Sequence, residues 1–323
     1  MQLRSTHAVA DEVEIRLGQL TVRLVPGTIE RGEMLWPQIE SAVGTGDLAT
    51  SWVWTRAWLR NYGDLAPYWF AIAETDRPIG ILLVTEGSGQ RIGPFGVRTI
   101  HIGTSGEPEH ETVRVQYNSV LAPVEIRTQF LGATLRLLRA SVPQQDEIRL
   151  DGFPPALINS AITQFPEARE QRIVTYICDL AAIRGSGKDV LSALGGDRAK
   201  RIRRSMRLIE ERYGPITIEW ATDKTRAFEI FDEMCDLHQA RWQAIGEPGV
   251  FASHRFARFN REWIDAAFPD HVALSRVTAG EVTIGCDYAF AQHNRLLGYQ
   301  WGLAQVDDHR PVRARIRVAG RDL

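Results

Sequence analysis

Two stretches decide the fold: WFAIAETDRPIGILLV, residues 69–84, and VALSRVTAGEVTIGCDYAF, residues 272–290. Each is a pair of apolar runs flanking a short polar turn, the pattern of a β-hairpin. A Trp-bearing helical pattern precedes each one: TSWVWTRAWLRNYGD (50–64), stopped by Gly63, and FARFNREWIDAAFPD (256–270). Arg56-x-Trp58 marks the first helix and Arg261-x-Trp263 the second, and the same interval separates Trp58 from Gly80 and Trp263 from Gly285. In both hairpins the second run opens with Ile-Gly, and in both a further strand follows, RTIHIG (98–103) and RLLGYQWG (295–302). Shared order, interval and landmarks predict one α+β unit used twice.

Working outward, VEIRLGQLTVRLV (13–25) alternates at period two and reads as a hairpin, and a helix is expected over residues 29–43. Past its third strand the first copy continues with a helical pattern, TQFLGATLRLLRASV, and a strand, DEIRLDGF. The second copy has little chain left. Its end, PVRARIRVAGRDL, alternates at period two and suits an edge strand at best, so the second unit reads as unfinished. The small, flexible run Arg184-Gly-Ser-Gly-Lys188 sets the expected boundary, giving domains 1–183 and 184–323.

The 323 residues suffice for two such cores, and 44% hydrophobic with 24% charged residues is the composition of a globular protein, not a disordered one. A balance of 38 Lys and Arg against 40 Asp and Glu excludes an overall attraction to DNA or acidic membranes. No run is long and apolar enough to insert in a bilayer, and the N-terminus lacks the apolar core of a signal peptide. Cys178, Cys235 and Cys286 are scattered and odd in number, which points to reduced thiols and a cytoplasmic location. His101, His110, His254, His271 and His293 have no metal-ligand spacing, so no metal is expected.

Against this balanced background DRAKRIRRSMRLIEERYG (197–214) gathers Arg198, Lys200, Arg201, Arg203, Arg204 and Arg207. Ala199, Ile202, Met206 and Ile209 form one apolar stripe of a helix, with Asp197 as its expected N-cap. The remaining faces crowd like charges. They are either a solvated surface or a docking surface for phosphates, the diphosphate of coenzyme A or an RNA backbone. GSGK at 185–188 is only a fragment of a phosphate-binding loop, so nucleotide hydrolysis is not expected.

The Trp-rich early helix, the basic helix, LHQARW (237–242), GEPGVF (246–251) and the closing hairpin together resemble the CelD-like acetyltransferases. These are a branch of the GNAT superfamily linked to cellulose and exopolysaccharide synthesis and akin to the Fem-type transferases. The resemblance runs from about Thr50 to about Asp308. It implies a tandem GNAT-like fold of two mixed sheets flanked by helices. It also implies transfer of an acyl group from acetyl-CoA or another acyl-CoA to an amine or hydroxyl of a small molecule, saccharide or cell-envelope precursor. Where the family carries a Ser-Pro-Gly-like diphosphate loop, this chain reads AQVDDHRPVRARIRVAG (304–320), which suggests a C-terminus truncated or read in a shifted frame. Two other readings follow: a non-catalytic binding protein on a decayed scaffold, and a Fem-like enzyme taking its donor from aminoacyl-tRNA.

Candidate site residues follow from pattern and resemblance together. Arg201 and Arg204 are expected at the donor phosphates. His238, Arg241 and Trp242 share a helix face and offer a base or substrate ligand, an anion clamp and a stacking platform. The alternative is that Trp242 is core and that Arg241 pairs with Asp236 or Glu233. Asp287, alone among apolar residues in IGCDYAF, is either on an exposed strand face or a general base. Alternation puts Cys286, Tyr288 and Phe290 on one face and Asp287 on the other. Tyr299 is a candidate to protonate the departing thiolate, or packs as an ordinary aromatic. The resemblance places Tyr117 and Asn118 near the acceptor.

Overall fold

A computed structural model describes residues 12–44, 47–89, 91–92, 94–114, 117–142, 145–163 and 165–305. It divides the chain into two compact units: residues 1–168 with 250–266, and residues 169–249 with 267–323. The architecture is α+β, as the sequence predicts.

The first unit runs β1 (Val13–Leu17), β2 (Leu20–Pro26), α1 (Ile29–Val43), α2 (Trp52–Tyr62), β3 (Tyr68–Glu74), β4 (Pro78–Glu86), β5 (Arg91–Ile92), β6 (Phe95–Gly96), β7 (Thr99–Ile102), α3 (Arg127–Ser141), β8 (Glu147–Arg149) and α4 (Pro155–Ile162). Its main sheet has the order β1-β2-β3-β4-β7-β8, antiparallel except for the parallel β7–β8 pair at the edge. Strand β3, YWFAIAE, is buried on both faces, which explains its continuous apolar run. Trp69, Ala71, Leu82 and Val84 pack with Phe130 and Leu138 of α3 on one face. On the other, Phe70 meets Trp36 of α1 edge-on at 5.8 Å. Side chains cap the helices: Thr28 Oγ1 accepts from the Arg31 amide, and Ser51 Oγ from the Trp54 amide.

The second unit runs α5 (Leu180–Gly185), α6 (Val190–Ala193), α7 (Gly196–Tyr213), β9 (Ile216–Trp220) and α8 (Lys224–Gln243); after α9 (His254–Ala267) come β10 (Val272–Ala279), β11 (Val282–Gln292) and β12 (Arg295–Leu303). Its sheet has the order β9-β10-β11-β12. Helix α8 lies on one face. Phe231 meets Tyr288 edge-on at 5.7 Å, and a Cβ at Gly302 would fall 2.4 Å from the Met234 carbonyl oxygen, so only glycine permits this approach.

The repeat is visible in the topology. Strand, helix, helix and three antiparallel strands recur as β2, α1, α2, β3, β4, β7 and as β9, α8, α9, β10, β11, β12, with the same neighbour order. The landmark glycines match as well. Gly80 faces Ala73 and Gly285 faces Val277, and in each hairpin the register slips immediately beyond that pair. Gly80 leaves no room for a side chain, because a Cβ there would meet that of Ala122 at 2.9 Å.

Three expectations change. The second sheet is antiparallel throughout its described strands, where the resemblance implies a mixed one. The expected edge strand and donor region at 306–323 lie outside the described residues. Helix α7 begins at Gly196 with Gly195 as N-cap, so Asp197 sits inside the first turn instead of capping it. Helix α9, which the sequence places in the second domain, belongs to the first unit. There Trp263 and Phe259 meet Trp54 edge-on at 5.2 and 5.0 Å, and Glu262 accepts from Arg60 and Asn61.

Candidate functional site

The second unit holds most of the candidate residues, and α8 shows how the motif LHQARW is used. Asp223 caps the helix through the Arg226 amide, and Ala227, Ile230, Phe231, Met234 and His238 are buried along one stripe. His238 therefore lies in the last turns of a helix face pressed into its unit. Trp242 Nε1 donates to His238 Nε2 at 3.0 Å. An indole N–H can only donate, so Nε2 holds the lone pair and Nδ1 carries the proton. Nδ1 in turn donates to Gln239 Oε1 at 3.3 Å, and Gln239 Nε2 donates to the Pro248 carbonyl at 2.7 Å.

This relay ties the end of α8 to the following loop and accounts for the pairing of LHQARW with GEPGVF. Gly249 makes it possible. Its φ is +71°, and a Cβ there would lie 2.4 Å from Gln239 Oε1. Periodicity gives no signal for Gln239; its adjacency to His238 within a shared motif was the only cue. Burial, with the nearby Arg241 charge, lowers the His238 pKa, and the bond to Gln239 opposes this. The imidazole is thus held neutral with both nitrogens engaged.

Arg241 makes no salt bridge among the described residues; Glu233 pairs instead with Arg276 at 2.9 Å. Trp242 is 37% exposed, so it is not core.

Strand alternation holds around Asp287. Cys286 and Tyr288 are buried toward α8, where burial pushes the Cys286 thiol up to about 12, while Asp287 is half-buried on the opposite face. Tyr299 is the extra residue of a β-bulge, between Gly298 facing Ala289 and Gln300 facing Tyr288. The bulge turns its ring to the α8 side, stacked on Phe290 at 4.4 Å and edge-on to Tyr288 at 5.4 Å.

On α7 the apolar stripe is as expected, with Ala199 buried and Ile202, Met206 and Ile209 half-buried. The basic residues are all exposed. Arg203 pairs with Asp189 at 3.7 Å and Arg207 with Glu211 at 3.7 Å. Arg198, Lys200, Arg201 and Arg204 make no salt bridge among the described residues.

The two remaining candidates lie in the first unit. Asn118 is buried and engaged with the backbone: Nδ2 donates to the Ile102 and Asp151 carbonyls, and Oδ1 accepts from the Ser119 amide. Tyr117 is half-buried in the left-handed region at a φ of 56°. Two cavities among the described residues of this unit hold about 10 Å³ each, room for a single water. No group of metal-ligating side chains occurs among the described residues, and no described helix is long and apolar enough to cross a membrane.

Residues 196–311 match the sequence model of a family described as acetyltransferase (GNAT) domain. No curated protein matches the chain. Among solved structures, it is similar to a conserved protein of unknown function from Bacteroides thetaiotaomicron VPI-5482, at 12% identity over 82% of this chain and 74% of that one, with a TM-score of 0.40. It is also similar to a ribosomal-protein-alanine N-acetyltransferase from Brucella melitensis biovar Abortus 2308, at 10% identity over 49% of this chain and 99% of that one, with a TM-score of 0.27. A probable acetyltransferase is similar at 14% identity over 49% and 97%, with a TM-score of 0.27.

Proposed function

We propose that the protein is an acyl-CoA-dependent acyltransferase of the CelD-like kind, acting on a small-molecule or saccharide acceptor. The match of residues 196–311 to an acetyltransferase (GNAT) domain carries this reading. The chemistry is acyl transfer by positioning. The acceptor nitrogen or oxygen attacks the thioester carbonyl, the carbon–sulfur bond breaks, the acceptor proton passes to a base, and the coenzyme A thiolate takes up a proton as it leaves.

The base is Asp287 in preference to His238. Both ring nitrogens of His238 are already engaged, by Trp242 and Gln239, whereas Asp287 places a half-buried carboxylate on the face of β11 opposite α8. Tyr299 stacks on the α8 side of the sheet, away from Asp287, so it takes the aromatic-packing role and the thiolate draws its proton from elsewhere. The exposed cations Arg201 and Arg204 suit the donor diphosphate, with Lys200 and Arg198 beside them. Arg241, half-buried, and Trp242, exposed, stand at the end of α8 and serve the substrate.

Calorimetric titration with acetyl-CoA, followed by chromatographic detection of free coenzyme A in the presence of candidate acceptors, tests this. Stabilisation by the donor and acceptor-dependent release support it. The absence of any donor binding would leave a non-catalytic binding protein. The same exposed cations also favour a second reading, a donor carried on tRNA, for which binding would weaken steeply with salt.

A further inference from the structure

The stretch QRIVTYICD, residues 171–179, runs through the second unit outside any helix or sheet, and every residue of it is exposed. Ile173, Val174, Tyr176 and Ile177 are exposed by 84, 74, 88 and 77%. No backbone hydrogen bond reaches residues 173–177 among the described residues. β-branched and aromatic residues follow one another here with no Gly, Pro or charge, the composition of a strand that is apolar on both faces. Strand β3 has the same composition and is buried on both faces. Left in water, such a segment is a strand without a sheet.

The second sheet offers the matching place. Among the described residues it ends at β9, which pairs with β10 alone. The counterpart of β9 in the first unit is β2, which pairs with β3 on one side and with the five-residue β1 on the other. Strand β9 is also five residues long, the length of Ile173–Ile177, and Thr217, Glu219 and Trp220 on it are exposed. Its outer edge thus presents unpaired N–H and C=O groups where the other copy of the repeat has a strand. The chain carries a strand without a sheet and an edge without a strand, and its own segment does not join that edge.

We propose that the partner is a second copy of this chain: residues 173–177 of each copy add as an antiparallel strand to β9 of the other. Because segment and edge lie on the same chain, two reciprocal exchanges close a two-fold dimer and leave neither the segment nor the β9 edge unpaired. Antiparallel pairing, the sense of β1 on β2, sets Ile173 of one copy beside Trp220 of the other and Ile177 beside Ile216, with Thr175 between them. β-branched residues then stand against an indole and an isoleucine on one face, while Val174 and Tyr176 cover the other. Each exchange takes four large apolar side chains out of water. This interface does not depend on the transferase reading.

The test is size-exclusion chromatography with light scattering on a dilution series of the full chain, which is expected to run as a dimer that dissociates on dilution. Thr175→Pro combined with Tyr176→Pro removes two successive amides, one of which must face the edge in any strand pairing. The pair is expected to weaken the dimer by at least about tenfold. Circular dichroism should show the fold intact, since residues 173–177 make no backbone hydrogen bond in the single chain. A synthetic peptide of residues 170–179 should convert the dimer to monomer by occupying β9, and the same peptide with both prolines should not. If the proline variant fails to fold, the two peptides decide the matter alone. A chain that stays monomeric at every dilution, or a dimer unmoved by both the prolines and the peptide, would overturn the proposal. So would a monomer whose amides 173–177 resist hydrogen exchange, because the segment would then pair within its own chain.

Discussion

Trp242 donates its indole N–H to Nε2 of His238, one helical turn away, at 3.0 Å. The bond assigns the imidazole its tautomer and makes His238 the middle of a relay that ends on the Pro248 carbonyl. Trp242→Phe keeps the ring but removes the donor, leaving a buried nitrogen without its partner. The expected loss is about 1–3 kcal/mol of stability by urea denaturation. Restoring full stability with Phe would show the bond to be incidental.

The lowered pKa of His238 has a signed consequence. An unfolded imidazole takes up its proton at a higher pH than the buried one. The stabilising contribution is therefore complete above the ordinary imidazole pKa of about 6.5 and declines as pH falls from there toward the folded value. His238→Gln should flatten that part of the stability-versus-pH curve. A curve of unchanged slope in the variant would assign the effect to other groups.

Gly246 and Gly249 both have left-handed backbone, at φ of +80° and +71°, but only Gly249 faces an obstacle, Gln239 Oε1. Alanine at either position carries the left-handed penalty of about 1–2 kcal/mol. Gly249→Ala must in addition displace Gln239 from its relay. It should lower the denaturation midpoint clearly more than Gly246→Ala, and equal midpoints would contradict the close approach.

Arg201→Ala combined with Arg204→Ala should weaken acetyl-CoA binding by about tenfold while leaving the melting temperature in place. Both side chains are exposed and make no salt bridge among the described residues. Unchanged affinity would reduce this surface of α7 to a solvated face.

Trp263 is fully buried and meets Trp54 of α2. Trp263→Ala should destabilise by about 3–5 kcal/mol. Hydrogen exchange should locate the loss in α2 and the first unit, since α9 belongs there. A loss confined to β10–β12 would argue that α9 packs with the second unit.

Much of the fold was legible because helices and hairpins are written in local periodicity. The helix expected over residues 29–43 is α1, the Trp-rich helix ends at Gly63, and both hairpins form around their Ile-Gly landmarks. The sequence also determined that α7 would bury one apolar stripe and expose its basic residues, since an 18-residue helix can turn only one such stripe inward.

Tertiary structure alone decided the rest. The apolar face of α9 shows that it must be buried but not against which core, and Phe259 and Trp263 found theirs beside Trp54. Asp287 could be assigned a strand face from its neighbours, yet its company of Trp220, Ser275 and Trp301 depends on the registers of three strand pairs. Periodicity describes how one segment meets an interior. Which segments meet each other is set by long-range packing, and a single chain read in order carries no direct record of that.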